Sequence, residues 1–206
     1  MYKKVLVVTV LAVAVLTAGY AQGQFKFGAR AGLNFTNMKF EASGISISPK
    51  MKPGIQLGLV GEYGLSESLF FQPGILFAQQ GCKLDGKLFG ESGEFKLTLN
   101  YVQVPLNFQF KTDVGGALLL LQAGPYGGIG VSGKYKYDKE SEDVEFGDSG
   151  DFKTFDLGLG IGAGLQFDNI QVGIGYNIGL ADISTESGLT NKNSGLTFTL
   201  TYFFGK

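Results

Sequence analysis

Two stretches near the C-terminal end alternate with strict period two. Phe155–Phe167 reads FDLGLGIGAGLQF, and residues 170–180 read IQVGIGYNIGL. Successive side chains of a strand point to opposite faces, so the pattern predicts two strands. One face carries Phe155, Leu157, Leu159, Ile161, Ala163, Leu165 and Phe167, then Ile170, Val172, Ile174, Tyr176, Ile178 and Leu180. The other carries glycines, Gln166, Gln171, Asn177 and one charge, Asp156. A face turned to water would be rich in Lys and Glu. Glycine and small amides instead suit the cramped interior of a narrow closed barrel whose apolar face meets lipid.

The rest of the chain is consistent with export to a membrane. Lys3 and Lys4 precede an apolar run over 5–16, and small residues at Gly19 and Ala21 mark a cleavage site. Residues 1–21 are expected to be a cleaved signal peptide, with cleavage after Gly23 a close alternative. Residues 22–206 are expected to form one outer-membrane β-barrel domain. Losing Lys3 and Lys4 makes the net charge of −1 more negative by two. Past the signal segment the longest aliphatic run is 117–121, which predicts no spanning helix. Entry into a bilayer would then require a closed barrel, because open sheet edges do not survive in lipid.

Eight strands are predicted, at about 25–36, 53–63, 69–80, 96–110, 117–131, 155–167, 170–180 and 195–204. This gives an all-β, antiparallel, up-and-down transmembrane barrel. In the fourth strand the apolar phase slips from Leu97, Leu99 and Tyr101 to Val102, Val104, Leu106, Phe108 and Phe110, which predicts a bulge near Tyr101 and Val102. Pro53, Pro73, Pro105 and Pro125 fall inside strands and predict bulges or strand ends. Short connections (64–68, 111–116, 168–169) alternate with long polar ones (37–52, 81–95, 132–151, 183–194). That is the layout of outer-membrane barrels, with long loops outside the cell and both chain ends in the periplasm.

Chemistry is sparse. The chain has no histidine and one cysteine, so His-based catalysis, an internal disulfide and a thiolate metal site are all excluded. No catalytic, cofactor-binding or metal residues are assigned, and no cofactor is expected. The GIGVSG run at 128–133 matches a dinucleotide fingerprint but lacks a following helix. GCKLDGK at 81–87 approaches a P-loop but fails at Leu88. The acidic segment 132–151 lacks regular calcium-ligand spacing and reads as a solvated loop. No basic stripe points to nucleic acid. Arg30, the only arginine, falls on the inward face with Glu62, Gln72, Asn107, Gln122, Asp156 and Asn177. A buried charge needs a partner. Glu62 and Asp156 are the candidates, and the seven residues are expected to form an interior polar network with a structural role.

Several patches carry a family resemblance. They are FGARAGLN at 27–34, FQPG at 71–74, YVQVPL at 101–106, GPY at 124–126 and the D-x-G-L-x-x-G-x-G run at 156–164, with an aromatic C-terminus. In this order they resemble the small outer-membrane β-barrel family of the Bacteroidetes that includes the PorT-like proteins. The resemblance implies an eight-stranded outer-membrane barrel and an envelope or protein-secretion accessory role. Gly205-Lys206 depart from the family's terminal aromatic. Expected partners are outer-membrane lipid, the barrel insertion machinery, and secretion-apparatus or envelope proteins, with the barrel itself monomeric. Two alternatives stay open: a soluble lipocalin-like barrel holding an apolar ligand inside, and a narrow pore.

Overall fold

The structure is a computed structural model that describes residues 25–42, 45–47, 49–85, 94–137 and 140–205. The expected signal segment 1–21 lies outside these residues, as do Lys87 and Lys206. Ten strands form one sheet: β1 (Phe25–Ala42), β2 (Ile45–Ile47), β3 (Lys50–Gly64), β4 (Leu69–Asp85), β5 (Glu94–Val114), β6 (Ala117–Tyr137), β7 (Glu140–Val144), β8 (Phe155–Phe167), β9 (Ile170–Gly179) and β10 (Leu189–Phe204).

The sheet closes on itself. Neighbours run β1-β3-β4-β5-β6-β8-β9-β10, all antiparallel, and β10 pairs back onto β1 from Phe27↔Phe204 to Ala42↔Leu189. Eight strands therefore make the ring. β2 and β7 pair only with β1 and β6, continuing the places of β3 and β8 beyond the rim. The three tight connections, 65–68, 115–116 and 168–169, share one end with the first and last described residues of the ring. Gly115 and Gly116, with φ of 67° and 94°, make the β5–β6 hairpin turn that needs two left-handed residues.

The apolar phase faces outward. Ile75 is 63% exposed, Leu121 55%, Ile161 55% and Phe155 70%. On β8 this face runs unbroken over twelve residue steps, about 40 Å along the strand. At the tilt of such barrels that is roughly 30 Å of height, a bilayer's hydrocarbon thickness. The lipocalin-like reading requires the opposite arrangement and is overturned.

The strands outrun their predicted ends. β1 continues to Ala42, β4 to Asp85 and β6 to Tyr137, while β5 starts at Glu94 and β10 at Leu189. The expected long loops are therefore largely extended hairpins. They escape a search for outward apolar residues because their outward face is polar, as with Asn37 and Lys39 on β1 or Lys96, Thr98 and Asn100 on β5.

The same fact corrects the bulge. β5 alternates without a break, with Leu97, Leu99 and Tyr101 inward in phase with Gln103, Pro105, Asn107 and Gln109. What changes along β5 is the polarity of its two faces. The register shift lies across from it in β6: Asn100 pairs Ser132 while Tyr101 pairs Gly130, so Val131 is the extra residue. Pro53 does sit within an irregularity, between Met51 and Gln56. At Pro73 and Pro105 the expected bulges are missing. Pairing skips from Pro73↔Leu106 to Leu76↔Gln103 and from Pro105↔Tyr126 to Phe108↔Ala123 with the register unchanged. The lost donor opens the ladder locally without adding a residue.

Inward glycines differ in the room around them. A Cβ on Gly158 would collide with the Ile178 carbonyl and the Tyr126 ring, whereas one on Gly160 would meet only the Asn177 amide oxygen, at 2.9 Å. Gly158→Ala should therefore lower the yield of folding into lipid vesicles and Gly160→Ala should not. On the opposite face, Leu159→Arg should cost roughly 2–4 kcal/mol, that of a cation at the bilayer midplane, while Leu159→Phe is silent. Urea titrations of vesicle-embedded protein measure the difference. Equal tolerance of Arg and Phe at 159 would remove the lipid-facing assignment.

Candidate functional site

The barrel interior is built in three tiers. The lowest, at the tight-turn end, is a polar network spanning the lumen. Arg30 on β1 donates from Nε to Thr201 Oγ1 (2.9 Å) on β10 and from its terminal nitrogen to Gln72 Oε1 on β4. Gln72 Nε2 donates to Glu62 Oε2 (3.1 Å) on β3 and to Gln171 Oε1 (3.2 Å) on β9. Gln109 Nε2 on β5 donates to Gln72 Oε1 (2.9 Å) and to Gln122 Oε1 (3.0 Å) on β6. Lys111 Nζ donates to Glu62 Oε2 at 2.6 Å and to Gln166 Oε1 on β8 at 2.7 Å. All eight ring strands contribute a side chain. Gln72 makes both donations and both acceptances its amide allows, so it is the hub.

The only ion pair in this tier, among the described residues, joins Lys111 and Glu62, whose side chains are 2% and 3% exposed. Lys111 also lies over the Phe70 ring, 4.4 Å from its centroid. This corrects the expected pairing of Arg30 with Glu62 or Asp156. Arg30 stands opposite Gly58, whereas Glu62 stands opposite Lys26, four residues nearer the turns. Gln72 fills the gap, and neutral groups hold the guanidinium. Lys111 was missed because the predicted strand stopped at Phe110. Its signal was parity, since it continues the inward series Gln103, Pro105, Asn107 and Gln109.

The middle tier is a small cavity of about 40 Å³. Arg30 and Gln122 border it from below, and Asn107, Asn177 and the inward glycines of β6, β8 and β9 line it. A volume of this size holds about one water molecule. Asp156 lies above it, apart from Arg30. Asn193 Nδ2 donates to Asp156 Oδ2 at 3.1 Å and reaches the Tyr101 hydroxyl at 3.5 Å.

The upper tier reverses the polarity of the barrel. Met38, Cys82, Leu97, Leu99 and Tyr101 point inward and are buried against Val144, Phe152 and Ile183, which come from the connections between β6 and β8 and between β9 and β10. Phe146 packs edge-on against Tyr101 at 5.8 Å, filling the space left by Gly130. Backbone bonds tie the closure down: Gly130 N to Thr154 O (2.8 Å), Lys153 N to Ile183 O (2.9 Å) and Ile183 N to Asn191 O (2.9 Å). The acidic segment 132–151 is thus partly the end of β6, partly the strand β7 and partly this cap, and its described carboxylates Glu140, Glu142, Asp143, Glu145, Asp148 and Asp151 are exposed. The GIGVSG run lies within β6. Among the described residues no cluster of His, Cys, Asp or Glu could hold a metal ion.

A closed eight-strand ring with an apolar outside and a polar-filled inside is an outer-membrane design. A family model described as outer membrane protein beta-barrel domain matches residues 20–185. The chain belongs to this family. It is an outer-membrane barrel protein. Among curated proteins there is no match. Similar solved structures include a major outer membrane protein of Thermus thermophilus (17% identity, 87% of this chain and 99% of that one, TM-score 0.49). Neisserial surface protein A is also similar (14% identity, 86% and 97%, TM-score 0.47), as is Ail, the attachment invasion locus protein of Yersinia pestis (17%, 85% and 98%, TM-score 0.39). None of these likenesses bears on activity.

Two outcomes follow from the tiers. Removing one member of a buried ion pair leaves the other uncompensated, at roughly 3–5 kcal/mol. Lys111→Met should be that costly, and Glu62→Gln should restore most of the loss when combined with it; a double variant as unstable as the single one means the two are uncoupled. The second concerns Cys82, whose thiol burial pushes up from 9.0 to about 12, against a smaller opposing effect of Lys52. Tyr135 is also pushed up to about 12, by burial first and then by Asp151 and Glu186. Above pH 9 the unfolded chain ionises Cys82 and the folded one does not. The cap's contribution is therefore complete below pH 9 and is lost as pH rises toward 12. Unfolding midpoints between pH 8 and 11 should fall, less steeply in Cys82→Ala.

Proposed function

We propose that this protein is a filled barrel acting at its rims rather than through its lumen, as an interaction or envelope-accessory protein of the PorT-like kind, in a Bacteroidetes-type outer membrane. What carries the reading is double closure. A network drawn from every ring strand blocks the tight-turn end, and an apolar cap blocks the other. The space between them has room for little more than a water molecule. Such a barrel offers surfaces: short turns and both chain ends on the periplasmic side, and paired hairpins outside. Its partners are the insertion machinery during assembly and envelope or secretion proteins afterwards, with the barrel itself a monomer. A non-enzymatic role is supported by the lack of histidine and by the use of Glu62 in an internal ion pair.

The narrow-pore reading has the glycine-lined cavity in its favour, and the two closures against it. Purified protein in planar bilayers should show no stable channel of porin size. Phe146→Ala combined with Phe152→Ala, which thins the cap, should still conduct little because the lower network remains. Regular large openings in the unmodified protein would overturn the reading.

A further inference from the structure

The cap holds a cavity of its own, of about 170 Å³. It shares no lining residue with the small cavity between the two closures. An apolar cavity of about 150 Å³ takes up a benzene-sized molecule, so this one has room for a single ring and a short arm. A cap that only closed the barrel would gain by filling the space, because a void forfeits packing contacts.

Parity builds the walls. Phe40 of β1, Leu84 of β4, Phe95 and Leu97 of β5 and Tyr135 of β6 all line the cavity from inward positions. Leu84 stands opposite Phe95, and Leu97 opposite Tyr135. The Tyr135 ring lies 5.6 Å from that of Phe95 and 6.4 Å from that of Phe152, so one side of the cavity is an aromatic surface. Asn191 of β10 adds a polar group to these walls. It is 3% exposed, and its Oδ1 is buried without a hydrogen-bond partner. Its backbone is pinned, since its N–H donates to Asp182 Oδ1 (2.8 Å) and its carbonyl accepts from Ile183 N (2.9 Å). A half-turn of the amide alone exchanges Oδ1 and Nδ2, so either end can meet an occupant.

The mouth is acidic. Asp151 and Glu186 line it, both are exposed, and both charges act on the Tyr135 hydroxyl. Neither forms an ion pair with a described residue. They belong to different connections, which Thr185 joins by donating to Gly150 O at 2.8 Å. Asp151 Oδ2 also accepts from Glu145 N at 2.8 Å. The two carboxylates are thus held at the opening by bonds that do not use up their charge. A positive charge, Lys52, acts instead on Cys82 at the buried end of the cavity, with its Nζ donating to Pro53 O. The field therefore directs the positive end of an occupant to the mouth and its apolar end inward.

We infer that this cavity is a binding site for a small arylalkyl ammonium compound. The ring sits among Phe40, Phe95, Leu97 and Phe152. The ammonium sits at Asp151 and Glu186, beside the electron-rich face of Tyr135, and the Asn191 amide accepts one of its N–H groups. The site opens on the side of the cap away from the lumen, so the inference goes beyond the envelope-accessory reading and does not rest on it.

The test uses the mature chain in nanodiscs of zwitterionic phospholipid, with para-fluorophenethylammonium as the probe and fluorine NMR as the readout. Binding should saturate at one molecule per chain and weaken as salt rises. Phenethylammonium should displace the probe, and neutral phenethyl alcohol should do so about tenfold less well. Phenylacetate, with the opposite charge, and ethylammonium, without the ring, should not displace it. Asp151→Asn with Glu186→Gln, both at exposed positions, should weaken the amine about tenfold and bring it level with the alcohol. Leu84→Trp, which fills the cavity, should remove binding of both, and Leu189→Phe occupies the same space should the Trp variant fold poorly. Three outcomes overturn the inference: no saturable binding, equal displacement by the alcohol or the acid in the unmodified protein, or a mouth variant that binds the amine as before. Binding of an oligolysine peptide without any binding of the small amine would also overturn it, and would assign the mouth to a basic segment of a protein.

Discussion

Closure of the first strand onto the last governs everything else in this molecule. In hydrocarbon no water can satisfy a backbone N–H or C=O, so an open edge is not tolerated. β1 meets β10 over sixteen consecutive residue pairs, longer than the apolar band itself. Once the ring is shut with eight strands, its diameter is set and so is the shortage of interior space. The glycines of β6, β8 and β9 follow from that shortage. So does the choice of amides and hydroxyls, which hydrogen-bond across a narrow lumen without adding charge.

Charge inside such a ring has to be matched locally. Glu62 and Lys111 do so as a close pair, and Gln72 links that pair to Arg30. The guanidinium is left among neutral acceptors, a solution workable because a guanidinium offers several donors and Thr201 and Gln72 take them from two directions. Above the membrane the conditions invert. Water bathes the outside of the hairpins, so the ordinary rule of a soluble protein applies, with apolar residues inside and polar residues outside. The chain crosses this boundary within single strands. On β5 the inward series changes from Lys111, Gln109 and Asn107 to Tyr101, Leu99 and Leu97 without a break in alternation. A membrane protein and a small soluble core are joined end to end on the same backbone.

The eight strands of the ring and the assignment of the apolar face to lipid were legible from local pattern, whereas the short strands β2 and β7 were not. Alternation is a property of neighbouring residues, and the shortage of charge on the glycine face opposite leucine on β8 and β9 argues against a soluble surface. The inward position of Arg30, Glu62, Gln72 and Asp156 follows from the same parity. Length was less legible. Reading strands from the outward apolar phase stops them where the apolar band stops, and residues such as Lys39, Lys83 and Lys136 then look like loop.

The tertiary structure alone decided which of the inward groups meet. Parity says that Arg30 and Glu62 share the lumen, but their relative height depends on strand stagger, which no single strand encodes. That stagger puts Glu62 beside Lys111 and leaves Arg30 to Gln72. The same holds for the cap, where Phe146, Phe152 and Ile183 lie in segments with no periodicity and acquire a place only when the rim of the ring exists to receive them. It holds also for Lys50, Lys83, Lys96 and Lys136, which are scattered over 87 positions of chain and become cross-strand neighbours only through register. Alternation along a strand is local and survives in the sequence. Register between strands is set by ring closure and is a property of the folded ring.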